Sequence, residues 1–156
     1  MQALNLPRYT FSLSHENGKR KIFDPIRKKR VALTPEEWVR QNFIMFLTQD
    51  KGYPASLIAV ESLVNINGLS QRADIVVYNK QRQPVLVVEC KAPSVKISRE
   101  VFEQVSRYNI QLKTKLICVT NGLQHFCALL DKKGTGYNFL QEIPEYSFVK
   151  SYMAEY

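Results

Sequence analysis

Asp74-Ile75-Val76-Val77-Tyr78, a polar turn, and then Val85-Leu86-Val87-Val88-Glu89-Cys90-Lys91-Ala92-Pro93 decide how this chain is read. Two β-branched runs separated by turn residues predict antiparallel strands over 72–78 and 85–90. Pairing Tyr78 with Val85 and counting back along both strands sets Asp74 opposite Glu89. Directly paired residues project to one face. Side chains alternate along a strand, so Glu89 and Lys91 share that face while Cys90 points away into the core. A slip of one residue would dismantle the arrangement.

Two carboxylates a few ångströms apart repel unless a cation lies between them. Hard oxygen ligands suit Mg²⁺, which keeps several waters and takes phosphate oxygens. A lysine beside such a pair can orient or deprotonate an attacking water and offset charge at phosphorus. These are parts for phosphodiester hydrolysis. Residue types and spacing alone are equally met by a surface ion pair among Asp74, Glu89 and Lys91. Against that stands Glu89's place at the end of an apolar strand.

Working outward, Thr34-Pro35-Glu36-Glu37 starts a helix, with Thr34 as N-cap, Pro35 at the first position and Glu37 completing a capping box. Val39, Phe43, Phe46 and Leu47 follow at helical spacing, and Lys51-Gly52-Tyr53-Pro54 closes the helical region. A strand is expected within 57–66, ended by Asn67-Gly68. Ser98 caps a second helix whose buried face is Val101, Val105, Tyr108 and Leu112. Strands over 116–119 and 125–130 follow, the first ending at Thr120-Asn121-Gly122. Upstream, residues 9–13 and 19–23 with an Asn17-Gly18 turn predict a hairpin, broken by Asp24-Pro25. The tail from Tyr137 holds several aromatics that can cover part of the sheet. The fold class is α/β, a mixed sheet flanked by helices in the order α-β-β-β-α-β plus a final strand, preceded by the N-terminal hairpin.

The chain has 156 residues, 45% hydrophobic and 23% charged, a length and composition suited to one folded domain and not to overall disorder. No run approaches the ~18 apolar residues of a membrane span. The opening residues show no basic segment followed by an apolar one, so no signal peptide is expected. Cys90, Cys118 and Cys127 form neither a close pair nor a metal spacing, which fits a reduced, cytoplasmic protein. Lys plus Arg is 22 against 14 Asp plus Glu, a formal charge of +8 that fits a nucleic-acid partner. Lys19, Arg20, Lys21, Arg27, Lys28, Lys29 and Arg30 cluster around a single Asp24. The cluster reads equally as a phosphate-contacting segment or a solvated face.

The D-I-V-V-Y and V-E-C-K-A-P runs resemble the core of the PD-(D/E)XK nuclease superfamily. More closely, they resemble the N-terminal nuclease domain of type I restriction enzyme R subunits. The Thr34–Glu37 helix start with Val39-Arg40, the Thr120-Asn121-Gly122 strand end, and Gln104 with Tyr108 in a Gln-x-x-x-Tyr pattern also match. The resemblance covers roughly residues 34–130. It implies a restriction-endonuclease-like core over 34–131, a hairpin and basic segment over 1–33, and a tail over 132–156, all in one domain. It implies a metal-dependent DNA endonuclease, or the nuclease module of a restriction-modification system. Asp74, Glu89 and the Cys90 backbone carbonyl would hold Mg²⁺, with Mn²⁺ able to substitute, and Lys91 would act on the attacking water.

Glu37 would join the acidic cluster or serve only as a cap. Gln104 and Tyr108, one helical turn apart, would position DNA or the lysine, with a core role for Tyr108 equally open. Lys19, Arg20, Lys21, Lys28, Lys29 and Arg30 would bind the DNA backbone. The chain has no Gly-x-x-x-x-Gly-Lys phosphate loop, so it is expected to bind no nucleotide and not to be the motor. It is expected to be a standalone member or one piece of a system with a separate motor or specificity subunit. Two other readings compete: a nucleic-acid binder that keeps the fold without cutting, and an interaction subunit docked through its basic surface. His15 reads as hairpin surface, His125 as strand packing and Trp38 as core.

Overall fold

In a computed structural model, residues 1–66 and 68–154 are described, apart from the side chains of Ile66, Tyr108, Gln111, Leu112 and Ala154. Nine strands and three α-helices are present among them. The first three strands, β1 (Leu13–Glu16), β2 (Lys19–Asp24) and β3 (Lys29–Ala32), form a small antiparallel sheet. Helix α1 (Pro35–Met45) follows and runs on as a π-helical turn, Phe46–Asp50. Then come β4 (Ile58–Ile66), β5 (Leu69–Tyr78), β6 (Pro84–Cys90), α2 (Arg99–Leu112), β7 (Leu116–Thr120), β8 (His125–Leu130), β9 (Tyr137–Leu140) and α3 (Tyr146–Ala154). Strands β4 to β9 lie side by side in chain order. Only β6 and β7 are parallel. Parallel neighbours need a crossover, and α2 is that crossover.

Both faces of the central strands are covered, which is why β6 is a continuous apolar run. On one face Val39, Phe43, Ile44 and Leu47 of α1 pack against Ile75, Val77, Leu86, Val88, Cys90, Leu116 and Cys118, joined by Val149 of α3. On the other, Phe102 of α2 packs with Ile97, Ile117, Val119 and Ala128. The three cysteines are buried free thiols. No helix of the described residues is long and apolar enough to cross a membrane.

The predicted order of elements is present, extended by β9 and α3. The tail does cover the sheet: Ile143 and Val149 enter the main core, and the Tyr53 hydroxyl donates to the Pro144 carbonyl at 2.9 Å. The N-terminal hairpin differs from expectation. Asn17 and Gly18 both take positive φ, 51° and 73°, as a two-residue hairpin turn requires. That turn pins the first strand at Leu13–Glu16 instead of residues 9–13. The chain then returns as a third strand, because the Asp24 carboxylate organises the break by accepting from the backbone N–H groups of Ile26 and Arg27 at 2.8 and 2.9 Å.

Among the described side chains of α2, Phe102 and Asn109 are buried and Val101 and Val105 partly covered, while Tyr108 and Leu112 of the expected face lie outside them. Trp38 is only partly buried; its indole N–H donates to the Gln2 carbonyl and its ring meets Phe11 edge-on. Asn67 of the expected Asn67-Gly68 turn lies outside the described residues.

Candidate active site

The β5–β6 ladder runs Val77 to Leu86, Val76 to Val87 and Ile75 to Val88, the predicted register, with a shift only at Tyr78, which faces Pro84. Asp74 and Glu89 are the next residues along. There the Asp74 side chain takes over from the backbone: its Oδ2 accepts from the Cys90 N–H at 2.8 Å. Glu89 stands in the electrostatic field of the Asp74 carboxyl. Lys91 donates from Nζ to Glu89 Oε1 at 3.1 Å, and its own N–H is fixed to the Thr120 carbonyl at the end of β7 at 2.8 Å. Burial and the Asp74 charge push the Glu89 carboxyl above its ordinary range, against the pull of Lys91. Burial disfavours the Lys91 ammonium, but the bond to Glu89 and the charges of Glu89, Asp74 and Glu36 outweigh it and raise its pKa.

Helix α1 reaches this strand end through Arg40. Its Nη2 donates to Asp74 Oδ1 at 2.8 Å and to Glu36 Oε1 at 3.2 Å, while Nη1 pairs with Glu37. Glu37 also accepts from Arg27 Nη2 at 2.5 Å and from Gln41 Nε2 at 2.9 Å. Thr34 Oγ1 caps the helix by accepting the Glu37 N–H at 3.0 Å, as predicted. The Glu37 carboxylate, however, is given to the two guanidiniums and the Gln41 amide. It stands one guanidinium away from Asp74.

Glu61 of β4 completes the cluster. Counting along β4 and β5 sets it opposite Asp74, at the one point where the ladder skips a pair. Its φ is 50°, a left-handed value that is uncommon without a glycine. Its carboxylate receives Arg27 at 3.2 Å, Arg72 at 3.3 Å and Arg40 at 3.6 Å.

A pocket of about 220 Å³ opens beside Glu89, lined by Gln71, Arg72, Glu89, Lys91, Val101, Gln104 and Val105. Gln104 therefore meets Glu89 and Lys91 at one cavity. The Tyr108 side chain lies outside the described residues. The six basic residues are spread over the small sheet and its second turn. Strand alternation and the Phe23–Arg30 pairing put Lys19, Lys21 and Arg30 on the outer face of the small sheet. Lys21 bonds Glu16 at 2.6 Å, and Arg30 bonds Ser12 Oγ at 2.8 Å. Lys28 and Lys29 sit in and after the turn that Arg27 anchors, and Arg20 is exposed. His15 is exposed on β1. His125 is held by Thr120 Oγ1 at 2.7 Å and the Asn5 carbonyl at 2.8 Å, with its ring against Phe43.

Sequence reasoning missed Arg40, Glu61, Arg72 and Gln71. Arg40 had a local signal, its i+3 and i+4 spacing from Glu37 and Glu36. Glu61 and Arg72 had none short of knowing the β4–β5 register.

For a metal, the available donors are the Asp74 and Glu89 carboxylates and the Cys90 carbonyl, all hard oxygens of the type Mg²⁺ takes. By donor type these residues fit a divalent ion, which would share Asp74 with Arg40 and Glu89 with Lys91. Among the described residues no group of three or more His, Cys, Asp or Glu is arranged to hold one.

Fold and site together define a mixed α/β domain with an acid pair and a lysine at the ends of its central strands. The sequence model of the type I restriction enzyme R protein N terminus matches residues 35–144, and the chain belongs to that family. The match runs past the core limit expected from the resemblance and takes in β9. The fold is similar to that of a fragment structure assigned to an HsdR subunit of a type I restriction enzyme from Vibrio vulnificus YJ016. The TM-score is 0.55 at 18% identity, covering 79% of this chain. The chain spans 26% of that structure's length. No curated protein sequence matches the chain.

Proposed function

We propose that the chain is the nuclease module of a restriction-type system, of the PD-(D/E)XK kind, and that it hydrolyses DNA phosphodiesters with Mg²⁺ or Mn²⁺. The observation that carries this is Glu89 at the end of β6, with Asp74 bound to the next backbone N–H at 2.8 Å, Lys91 on Glu89 at 3.1 Å, and Glu89 and Lys91 both lining one pocket. Asp74, Glu89 and the Cys90 carbonyl would hold the metal. A bound divalent ion supplies a Lewis acid for the phosphoryl oxygen and lowers the pKa of a ligated water.

The chain's own residues do the rest. Lys91 orients the attacking water and offsets charge growing at phosphorus. Gln104, lining the same pocket, positions the strand, with Tyr108 one turn further along α2. Glu37 holds Arg40 against Asp74 and so fixes the carboxylate. Lys19, Arg20, Lys21, Lys28, Lys29 and Arg30 supply sequence-independent affinity for the DNA backbone. A separate motor or specificity subunit and a cytoplasmic setting complete the reading.

A second reading draws on Arg40. Asp74 Oδ1 is already matched by a protein cation, as it would be in a subunit that keeps the fold and binds DNA without cutting. Incubation of plasmid and linear DNA with Mg²⁺, Mn²⁺ or EDTA, beside Glu89→Ala, separates the two. The nuclease reading expects cleavage with either metal and none with EDTA or the variant. Binding without cleavage in every condition favours the second.

A further inference from the structure

Arg72 is the basic side chain of the cluster most open to solvent. Its side chain is 68% exposed, against 14% for Arg27 and 4% for Arg40. It lies on β5 two residues before Asp74, so the two side chains leave the strand on the same side. It lines the pocket with Glu89, Lys91 and Gln104. It forms an ion pair with Glu61 Oε2 at 3.3 Å, and the same oxygen accepts Arg27 at 3.2 Å. One carboxylate oxygen thus serves two guanidiniums, and among the described residues the outer one has no second ion pair, which leaves most of its five N–H donors for a ligand.

The surroundings argue that this placement is built. Glu61 holds Arg72 from a left-handed backbone, φ 50°, inside a strand. Such a conformation persists only where neighbouring interactions impose it. Here the imposing groups are Arg27 and Arg40, both largely buried and tied in turn to Glu37 and Asp74. An exposed pair with Glu61 contributes little to stability by itself. A planar fork at a pocket rim is, however, suited to gripping a phosphate through two parallel hydrogen bonds.

We infer that Arg72 is a DNA-contacting residue that grips a backbone phosphate at the rim of the Glu89–Lys91 pocket and is held in place by Glu61. This rests on the nuclease-module reading for the identity of the ligand. The phosphate would lie within the pocket's reach, on the strand that Lys91 and Gln104 face. Arg72 thereby joins the outer basic turn, through Arg27, to the pocket.

The test is duplex DNA binding in EDTA followed by fluorescence anisotropy at several salt concentrations, for the parent, Arg72→Gln and Arg72→Lys. One true phosphate contact contributes about −0.9 to the slope of log affinity against log salt. Between 50 and 200 mM salt the parent should therefore lose about 3.5-fold more affinity than Arg72→Gln. Arg72→Lys should restore most of the slope while cutting more slowly in single-turnover assays with Mg²⁺. An Arg72→Gln slope equal to the parent's, in a variant whose thermal melt is unchanged, overturns the inference, as does a parent that binds no DNA. A slope that depends on Arg72 in a chain that never cuts with any metal sustains the contact and defeats only the nuclease reading.

Discussion

Arg40 donates to Asp74 Oδ1 at 2.8 Å while its other terminal nitrogen holds Glu37, so the first helix and the second strand of the main sheet are joined by one buried guanidinium. Asp74 is thereby bound on both oxygens, by Arg40 on one side and by the Cys90 N–H on the other. The carboxylate at the strand end is fixed before any ligand arrives.

Removing that guanidinium takes a cation from four carboxylates, Glu36, Glu37, Glu61 and Asp74, in a site where Arg40 is 4% exposed and Glu37 7%. Breaking a buried pair from one side costs about 3 to 5 kcal/mol. Arg40→Met should therefore lower unfolding free energy by about 3 kcal/mol in urea titration. A loss below about 1 kcal/mol would place the pair with ordinary surface bridges.

Asp24 is fully buried, and burial pushes its carboxyl up. The Arg27 backbone N–H and guanidinium outweigh burial, and the net pKa is lowered. A folded value below the unfolded one, about 3.9, means the stabilisation is complete above that pH. It fades as pH falls through the native value. The stability gap between the parent and Asp24→Asn should narrow from pH 6 to pH 3 in urea titrations. A gap that is constant or widens toward acid would show that Asp24 is not held ionised by Arg27.

Asp74 and Glu89 should act as one divalent site. Titration calorimetry with Mn²⁺ should show weak binding to the parent and none to Asp74→Asn or Glu89→Gln. Equal heats for parent and variants would put the ion elsewhere.

Lys28 and Lys29 stand beside the arginine that ties the small sheet to Glu37 and Glu61. Replacing both by Gln should flatten the salt slope of DNA affinity by up to about 1.8. An unchanged slope would make them part of a solvated face.

The central hairpin was legible because two β-branched runs and a polar turn leave one register that keeps both runs buried. That register sets Asp74 beside Glu89 from the residues alone, and only Tyr78 departs from it, through a bulge. Strand β3 was not legible. Lys29-Arg30-Val31-Ala32 offers one large apolar side chain, and its partner is fixed by an Asp24 turn that hydropathy does not reveal. The Arg40–Asp74 and Arg27–Glu61 pairs join residues 34 apart, beyond any helical or strand period. Glu61 takes a backbone conformation that its residue type argues against. On α2 the expected Val101 and Val105 do pack against the core, but Phe102, outside the expected stripe, is buried more deeply.

The central claim is that Lys91 serves chemistry at the Asp74–Glu89 pair. Single-turnover cleavage of DNA in Mg²⁺, with affinity measured in parallel, tests it most directly on Lys91→Met, which keeps most of the aliphatic stem. The account predicts a rate about 10² to 10⁴ lower with nearly unchanged affinity, because the lysine acts at the transition state while binding comes from the wider basic surface. Cleavage by Lys91→Met at the parent rate would contradict it.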